Sequence, residues 1–432
     1  MGWERFSMVF LLVMAGCAGS EGMKKRPPTT QLAHEPIAQV TVDRVYRVST
    51  AVPFPRGLAM HEGQLYALAR GRVRESGGVD ANIDDKAGTI FQVNPDIAQP
   101  ITQTEIGDPV RNNGTPIAIP TTPPFKLFDR TKAVATSDRE TDRPYCGLRY
   151  DPRTQNFYVC AFSGIDKPEG NGSTFSKNLT DAVYRYDTRS QKWAIVEQHN
   201  IEKGGLYPHQ DPVGNAPPHG WLNGPDNCLV VGKWLYVVSK DNSMLIRYDL
   251  SEIATDPAAP APASHWVLDH KILIKDAGLQ ELWGHSMLAE RGGYLYVGYR
   301  TSSVIVRFPL EADGTPKQPI VGEIVARFDP HDARTRKSAN LTDMVFGPEG
   351  DLYVISAQPS RVFRFTPDPA QPFDGRTGAT PAWAELAQLT GNSKMKSENV
   401  FVDAQGRVFV TSGDAYDFQY GAGGAIYRID PK

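Results

Sequence analysis

Residues that can coordinate a cation, move a proton or hold an anion recur at the start of similar apolar segments. Carboxylate and amide oxygens are ligands that hard cations such as Ca²⁺ prefer. A carboxylate beside a bound metal can activate water, and an arginine can hold a substrate carboxylate or stabilise an oxyanion. The residues are Arg56, Asp226, Asn227, His285, Asp343, Glu398 and Asn399.

This set predicts a ligand site with two chemical roles. Asp343, Glu398, Arg56 and His285 are the candidate catalytic residues, and Asp343 and Glu398 are favoured as general base or metal ligand. The candidate ligands for Ca²⁺ or another divalent cation are Asp226, Asn227, Asp343, Glu398 and Asn399. The alternative is that these groups cap strand ends, or pair with one another and with Arg56 around a water-filled channel.

The segments that carry these residues belong to a sixfold repeat, which must position them. Its second apolar run reads "QLYALAR", "FYVCAF", "LYVVSK", "LYVGYR", "LYVISA" and "VFVTSG", with the aromatic residue at Tyr66, Tyr158, Tyr236, Tyr296, Tyr353 and Phe409. Its third run, in all copies but the first, carries an arginine beside an aromatic or aliphatic residue, at Arg185, Arg247, Arg307, Arg364 and Arg428.

The repeat predicts an all-β, six-bladed β-propeller. Alternation at period two, with aromatic and β-branched residues between Gly, Pro and Asp turns, indicates strands, and repeated short antiparallel sheets are typical of propeller blades. A β-sandwich is the alternative, although sandwiches do not repeat one hairpin signature six times. The sixth copy lacks a fourth strand, so we expect the run from Ala38 to Val48 to close that blade.

Loop lengths distinguish the two faces of the predicted propeller. Turns between first and second strands are short, whereas several connections on the other side are long, and elaborated loops on a rigid scaffold usually carry function. We call that side the working face and its end of the central channel the mouth. Its long loops add a possible Zn²⁺ set and a possible Ca²⁺ set, against the alternative of packed or solvated loops: His209, Asp211 and His219, and Asp414 with Asp417.

Composition fits one large turn-rich domain over residues 38–432. The chain has 40% hydrophobic residues, 39 Gly and 34 Pro, which is ample for a core. A net charge of −3 without a basic cluster in the body argues against nucleic-acid binding. We expect a monomer whose ligand is a small molecule, a peptide or a glycan.

The first residues, "MGWERFSMVFLLVMAGC", have the outline of a secretory signal. The run "LVMAGC" resembles the lipobox of bacterial lipoproteins, which predicts a signal peptide at 1–16, a lipidated Cys17 and a flexible tether at 17–37. Ala18 after the cysteine resembles sorting to the outer membrane. The alternative is an ordinary cleaved signal in which Cys17 occurs by chance.

Three further cysteines, Cys146, Cys160 and Cys228, leave an odd number in an oxidising compartment if Cys17 is lipidated. Cys146 and Cys160 flank one predicted hairpin, so a disulfide between them is one alternative. Buried free thiols are the other, because cysteine is often a small core residue.

Two segments, "LNGPDNCLVVGKWLYVVSKDNSMLIRYDL" and "TDMVFGPEGDLYVISAQPSRVFRF", resemble blades of the gluconolactonase, senescence-marker and strictosidine-synthase-like superfamily, and also NHL-repeat propellers. In the lactonases an Asn, an Asp and a first-blade Glu hold a divalent metal. Asn223 or Asn227 matches the Asn and Asp343 matches the Asp. Arg56 stands where the acidic residue is expected, so metal binding requires Glu398 to substitute from the neighbouring blade.

Two functions therefore follow from the sequence. One is a cell-envelope lipoprotein with a central-channel site that hydrolyses lactones or esters with the help of a metal. The other is a non-catalytic propeller that binds a protein, peptide or glycan at the cell surface.

The lipobox gives the first testable prediction. Changing Cys17 to Ser removes the thiol that would be acylated, so the variant should leave the membrane fraction or accumulate as an unprocessed precursor. Fractionation and immunoblotting of cells that produce either form measure this. A mature-sized Cys17→Ser protein that remains with the membranes would contradict the lipobox interpretation.

Overall fold

The computed structural model describes residues 40–69, 88–119, 146–161, 180–200, 222, 224–240, 243–253, 265–328, 340–357, 359–375, 382–392, 395–412 and 424–430. The predicted signal peptide, Cys17 and the tether lie outside these residues. No helix in the described part of the chain is long and apolar enough to span a membrane.

Strands dominate the described residues. The first thirteen strands are β1 (Val45–Ser49), β2 (Pro55–His61), β3 (Gln64–Ala69), β4 (Ile90–Val93), β5 (Gln99–Pro100), β6 (Thr115–Ala118), β7 (Leu148–Asp151), β8 (Asn156–Ala161), β9 (Thr180–Asp187), β10 (Lys192–Asn200), β11 (Pro225–Val231), β12 (Trp234–Ser239) and β13 (Met244–Asp249). The remaining strands are β14 (His265–Leu268), β15 (Lys271–Ile274), β16 (Gly278–Glu281), β17 (His285–Arg291), β18 (Tyr294–Tyr299), β19 (Val304–Pro309), β20 (Glu323–Phe328), β21 (Leu341–Phe346), β22 (Leu352–Ser356), β23 (Arg361–Phe365), β24 (Phe373–Gly375), β25 (Ala384–Glu385), β26 (Ser397–Val402), β27 (Val408–Ser412) and β28 (Ala425–Ile429). The described helices are single turns, α1 (Asp108–Arg111) and α2 (Leu386–Leu389).

The strands form a six-bladed β-propeller, as the repeat predicts. Blade 1 is β2-β3-β4-β6, blade 2 is β7-β8-β9-β10, and blade 3 is β11-β12-β13-β14. Blade 4 is β17-β18-β19-β20 with β24 added at its edge, and blade 5 is β21-β22-β23-β25. Blade 6 is β26-β27-β28-β1, with β5 beyond β1.

The predicted closure of the last blade is confirmed, with a shorter strand than expected. The strand β1 pairs antiparallel with β28, from Val45 opposite Ile429 to Ser49 opposite Ile426. It begins at Val45 rather than near Ala38, because residues Val42–Arg44 form a 3₁₀ turn. The addition of β5 beyond β1 covers the outer edge of this blade, a feature that the sequence did not indicate.

The strand pairing explains the repeated aromatic and arginine residues. In each of five blades the repeat aromatic of the second strand lies directly opposite the repeat arginine of the third, as Tyr236 does opposite Arg247 and Tyr353 opposite Arg364. Blade 1 has Tyr66 opposite Gln92 instead. Cross-strand neighbours of this kind stabilise a sheet through side-chain contact.

Apolar and aromatic side chains fill the space between neighbouring blades. The rings of Tyr66 in blade 1 and Phe157 in blade 2 lie 4.9 Å apart, and those of Tyr296 in blade 4 and Phe346 in blade 5 also lie 4.9 Å apart. Blades 3 and 4 are joined in addition by the hairpin β15-β16, whose Ile272 is buried in the cluster that they share. This packing holds the inner strands in fixed positions around the channel.

Removal of β1 tests the closure. A truncation of residues 1–50 takes away Val45 and Val48, both fully buried, and should lower the free energy of unfolding by about 3–6 kcal/mol, whereas truncation of residues 1–36 should leave it unchanged. Chemical denaturation of the two purified truncations measures the difference. Equal stability would contradict a structural role for β1.

Candidate functional site

The six inner strands are aligned by the repeat aromatic of each blade, which lies opposite one residue of the inner strand. Counting back from that residue along each inner strand defines two sets of equivalent positions, which we call the first and second rings. The first ring, three residues before it, contains Arg56, Cys146, Asp226, Ser286, Thr342 and Glu398. The second ring, two residues before it, contains Gly57, Gly147, Asn227, Met287, Asp343 and Asn399.

A β-bulge accompanies these rings in most blades. The pairing of inner and second strands shifts by one residue between Arg56 and Leu58, and equivalent shifts occur in blades 3, 4, 5 and 6. A bulge bends its strand and redirects side chains. Contacts between ring residues far apart in sequence, such as Arg56 and Asp226, follow from this geometry.

The carboxylate of Asp343 is the centre of the second ring. One of its oxygens accepts hydrogen bonds from Arg149 Nη2 at 3.0 Å and Asn227 Nδ2 at 2.8 Å. The other accepts from Asn399 Nδ2 at 3.1 Å and from the backbone N–H of Val400 at 3.2 Å. Asp343 is fully buried, and these four bonds fill the acceptor capacity of a carboxylate. They join blade 5 to blades 2, 3 and 6.

The amide oxygens of the same ring are also engaged. Asn399 Oδ1 accepts from the backbone N–H of Gly57 at 2.7 Å, which adds blade 1 to the network. Asn227 Oδ1 accepts from the backbone N–H of Cys228 at 2.9 Å. Both asparagines therefore direct their nitrogen atoms to Asp343 and their oxygen atoms to backbone donors.

Arg56 occupies the corresponding central place in the first ring. Its Nη2 lies 3.1 Å from Asp226 and 3.5 Å from Glu398, and all three side chains are almost completely buried. Burial alone would lower the pKa of Arg56, but Glu398, Cys146, Asp226 and Asp343 raise it above its ordinary value. The guanidinium thus stays charged and neutralises carboxylates from two blades.

Two further cations, Lys240 and Arg300, stand at equivalent positions after the second strands of blades 3 and 4. The backbone N–H of Lys240 donates to Gly224 and that of Arg300 to Gly284, at 3.0 and 2.7 Å. Lys240 Nζ lies 3.9 Å from Asp226, and its side chain is 21% exposed. Arg300 is also partly exposed.

The pKa of Asp226 reports this concentration of positive charge. Burial raises the pKa of the carboxyl, but Lys240, Arg56 and Arg300 lower it further, and the net pKa lies below its ordinary value. Three cations thus act on Asp226, and one of them, Arg56, also lies beside Glu398. Among the described residues of the first ring and its flanking turns, the cations with the greater exposure are Lys240 and Arg300.

His285 begins β17, as its place at the start of an apolar run suggested, but it does not align with either ring. The alignment gives the first-ring place of blade 4 to Ser286, and His285 lies one residue earlier, fully buried, with its ring edge-on to Tyr299 at 4.5 Å. Burial, with a smaller effect of His270, lowers its pKa to about 3, so the imidazole is neutral. Neither of its ring nitrogens, nor the hydroxyl of Ser286, has a hydrogen-bond partner in the described part of the chain.

The predicted metal ligands converge, but donors already engage them. Asp343, Asn227 and Asn399 are bound as described above, and Asp226 and Glu398 face Arg56. Within the described ranges no group of three or more His, Cys, Asp or Glu residues is arranged to hold a metal ion. Other residues considered from the sequence lie outside these ranges: Asn223, His209, Asp211, His219, Asp414 and Asp417.

The described cysteines are buried free thiols, which decides between the two alternatives left open by the sequence. Cys146 and Cys160 are backbone neighbours, and the N–H of Cys146 donates to the carbonyl of Cys160 at 2.9 Å. Burial, together with a hydrogen bond to Cys228, raises the pKa of Cys160 well above its ordinary value. An inert, protonated thiol is therefore expected there.

Sequence reasoning missed Arg149, Lys240, Arg300 and Ser286. Lys240 and Arg300 end equivalent runs, "LYVVSK" and "LYVGYR", so an alignment of the second strands would have found them. Arg149 had no comparable signal, because the other five blades carry apolar residues at its position.

Comparisons with known proteins give the following likenesses. No family model matches the chain, and a search of curated proteins found no match. The apo-form of the soluble aldose sugar dehydrogenase from Escherichia coli has a TM-score of 0.48 at 10% identity, covering 90% of this chain and 99% of that one. The PQQ-bound aldose sugar dehydrogenase from Streptomyces coelicolor has a TM-score of 0.44 at 13% identity, covering 89% and 96%. A candidate 6-phosphogluconolactonase from Bacteroides uniformis has a TM-score of 0.40 at 11% identity, covering 81% and 76%. At these values the likenesses carry no argument about activity.

The saturation of Asp343 gives a prediction for Asp343→Asn. The amide places an N–H₂ where an oxygen accepts two hydrogen bonds, and it leaves Arg149 without a counter-charge. We expect a loss of about 3–5 kcal/mol in the free energy of unfolding, as for other buried ion pairs that lose one partner. Urea denaturation followed by tryptophan fluorescence measures it.

Asp276→Asn is the matched control for this change. Asp276 is exposed and lies in the left-handed region, at φ 62°, which asparagine tolerates well. The control should unfold like the wild type. If Asp343→Asn also unfolded like the wild type, the hydrogen bonds to Asp343 would not be what holds the blades together.

Proposed function

We propose that this protein is a ligand-binding propeller of the cell envelope, whose mouth receives an anionic group carried by a glycan or a peptide. The observation that carries the proposal is the charge arrangement at the first ring. Among the described residues, three cations act on Asp226: Arg56 at 3.1 Å, Lys240 at 3.9 Å, and Arg300; Arg56 also lies 3.5 Å from Glu398.

The order of exposure supports an anion rather than a cation as ligand. Asp343 is fully buried, and the side chains of Asp226 and Glu398 are 5% and 10% exposed, whereas that of Lys240 is 21% exposed. A ligand that approaches the mouth therefore meets Lys240 and Arg300 before the carboxylates. Charge-assisted hydrogen bonds from such groups to a carboxylate are among the stronger polar contacts in proteins.

A metal-dependent hydrolase would need free oxygen atoms at the mouth. A catalytic divalent cation requires several oxygen ligands and an open position for water or substrate. The four hydrogen bonds to Asp343 must break before it can bind a metal or accept a proton. Glu398 and Asp226 would have to leave Arg56 in the same step. The geometry therefore favours binding over hydrolysis.

The cellular location is part of the proposal. A lipidated Cys17 followed by the tether of residues 17–37 would hold the propeller at the outer membrane. Binding at a fixed surface suits a ligand that is itself a polymer of the envelope or its surroundings.

The proposal is tested by binding of hexaglutamate, a flexible acidic probe, to the purified protein by isothermal titration calorimetry. Lys240→Gln removes one charge at the mouth and should weaken binding about tenfold, the effect of one charge-assisted hydrogen bond. The exposed Lys317, in the connection between β19 and β20, supplies the control Lys317→Gln, which should bind as the wild type does. High salt should weaken wild-type binding.

Two results would contradict the proposal. One is equal affinity of Lys240→Gln and the wild type for hexaglutamate, or no binding by either. The other is one Ca²⁺ per chain by elemental analysis that disappears in Glu398→Gln, which would return the mouth to the hydrolase alternative.

A further inference from the structure

A tryptophan on the working face stacks on a neighbouring ring and yet remains almost half exposed. Trp283 precedes β17, and 43% of it is exposed, although it is one of the largest apolar residues. One face of its ring stacks on His270, with ring centroids 4.0 Å apart and an angle of 18° between the planes. A large apolar ring left exposed on a folded surface commonly marks a contact site.

Hydrogen bonds and a close approach hold the backbone around Trp283. The N–H of Trp283 donates to Ser302 Oγ at 2.8 Å, and the N–H of Ser302 donates back to the carbonyl of Trp283 at 3.3 Å. The next residue, Gly284, has φ 76°, and a Cβ there would lie 2.4 Å from Thr301 Oγ1. Only glycine allows this close approach, so the segment is pressed against the 301–302 turn.

The same segment lies between the two partly exposed cations of the mouth, Lys240 and Arg300. Gly284 donates its N–H to Ser243 Oγ at 3.2 Å, at the end of the turn that begins at Lys240. Its carbonyl accepts the N–H of Arg300 at 2.7 Å. Trp283 is thus flanked by a blade 3 turn that carries one cation and a blade 4 turn that carries the other.

We propose that Trp283 is a stacking platform for a pyranose ring of an acidic glycan, whose carboxylates are bound by Lys240 and Arg300. This inference rests on the proposed function and names its ligand class. The C–H face of a pyranose is apolar and slightly positive, and it complements the negative face of an indole ring. Carboxylates on the sugar supply the anionic group that the mouth requires.

The shape of the site favours a glycan over a peptide. With His270 against one face, Trp283 presents a flat ring, whereas anchor side chains of peptides bind in well-packed pockets. The two cations stand one blade apart, at equivalent positions of blades 3 and 4. Two cations on neighbouring blades can each receive one carboxylate of a chain that carries carboxylates on successive sugar units.

The experiment compares three probes by isothermal titration calorimetry. Trigalacturonate has pyranose rings and carboxylates, hexaglutamate has carboxylates without sugar rings, and maltotriose has pyranose rings without charge. The wild type should bind trigalacturonate most tightly. Trp283→Ala should weaken trigalacturonate about tenfold, the effect of losing one aromatic anchor, and should leave hexaglutamate within about twofold.

Two variants separate loss of stacking from loss of structure. Trp283→Phe keeps an aromatic ring and should retain most of the affinity for trigalacturonate. Leu279→Ala removes another exposed apolar side chain, 64% exposed, from the hairpin that precedes Trp283, and it should bind all probes as the wild type does.

Each alternative outcome has a definite meaning. If Trp283→Ala binds trigalacturonate as tightly as the wild type, or weakens hexaglutamate equally, the platform is refuted while anion binding at the mouth stands. If the wild type binds neither acidic probe, the proposed function fails and the platform fails with it. Tight binding of hexaglutamate with no binding of trigalacturonate would instead identify an acidic peptide as the ligand.

Discussion

The arrangement of the whole channel depends on one buried carboxylate. Asp343 is fully buried, and an unpaired charge in such a place would cost several kcal/mol. Its four donors come from blades 2, 3 and 6, and no single blade could supply them. Satisfying this charge therefore requires the blades to meet in one register, which couples closure of the ring to the polar network.

The charged residues buried in this network differ from those that keep part of their side chains in solvent. Because Asp343 is saturated by its donors, it is poorly suited to act as a base or a metal ligand, and the first ring repeats the pattern through Arg56 between Asp226 and Glu398. Lys240 extends from a turn outside the rings and keeps part of its side chain in solvent. The residues that looked most reactive in the sequence thus build the channel, and less conspicuous turn residues carry the charges that are partly exposed to solvent.

The sequence predicted the fold well because each blade repeats the same local pattern. Alternation, turn residues and the pairing of Tyr353 with Arg364 are short-range features that recur in several copies. The mouth was predicted only in outline. His285 does begin β17, as the sequence indicated, but only the pairing of Ala289 with Tyr296 shows that Ser286, one residue later, aligns with the first ring. The partners of Asp343 could not be predicted, since they depend on side-chain directions in four blades.

The two rings also explain why the channel is electrically asymmetric. Blades 1 and 2 have glycine in the second ring, and a Cβ on Gly57 would lie 2.7 Å from the Cβ of Leu148, so these blades approach each other too closely for a side chain. Each of these two blades also carries an arginine near its second-ring glycine, Arg56 or Arg149. These arginines contact carboxylates of blades 3, 5 and 6. The cations of the rings therefore come from one side of the propeller and the carboxylates from the other. Lys240 and Arg300 add positive charge at blades 3 and 4, beside the segment that carries Trp283.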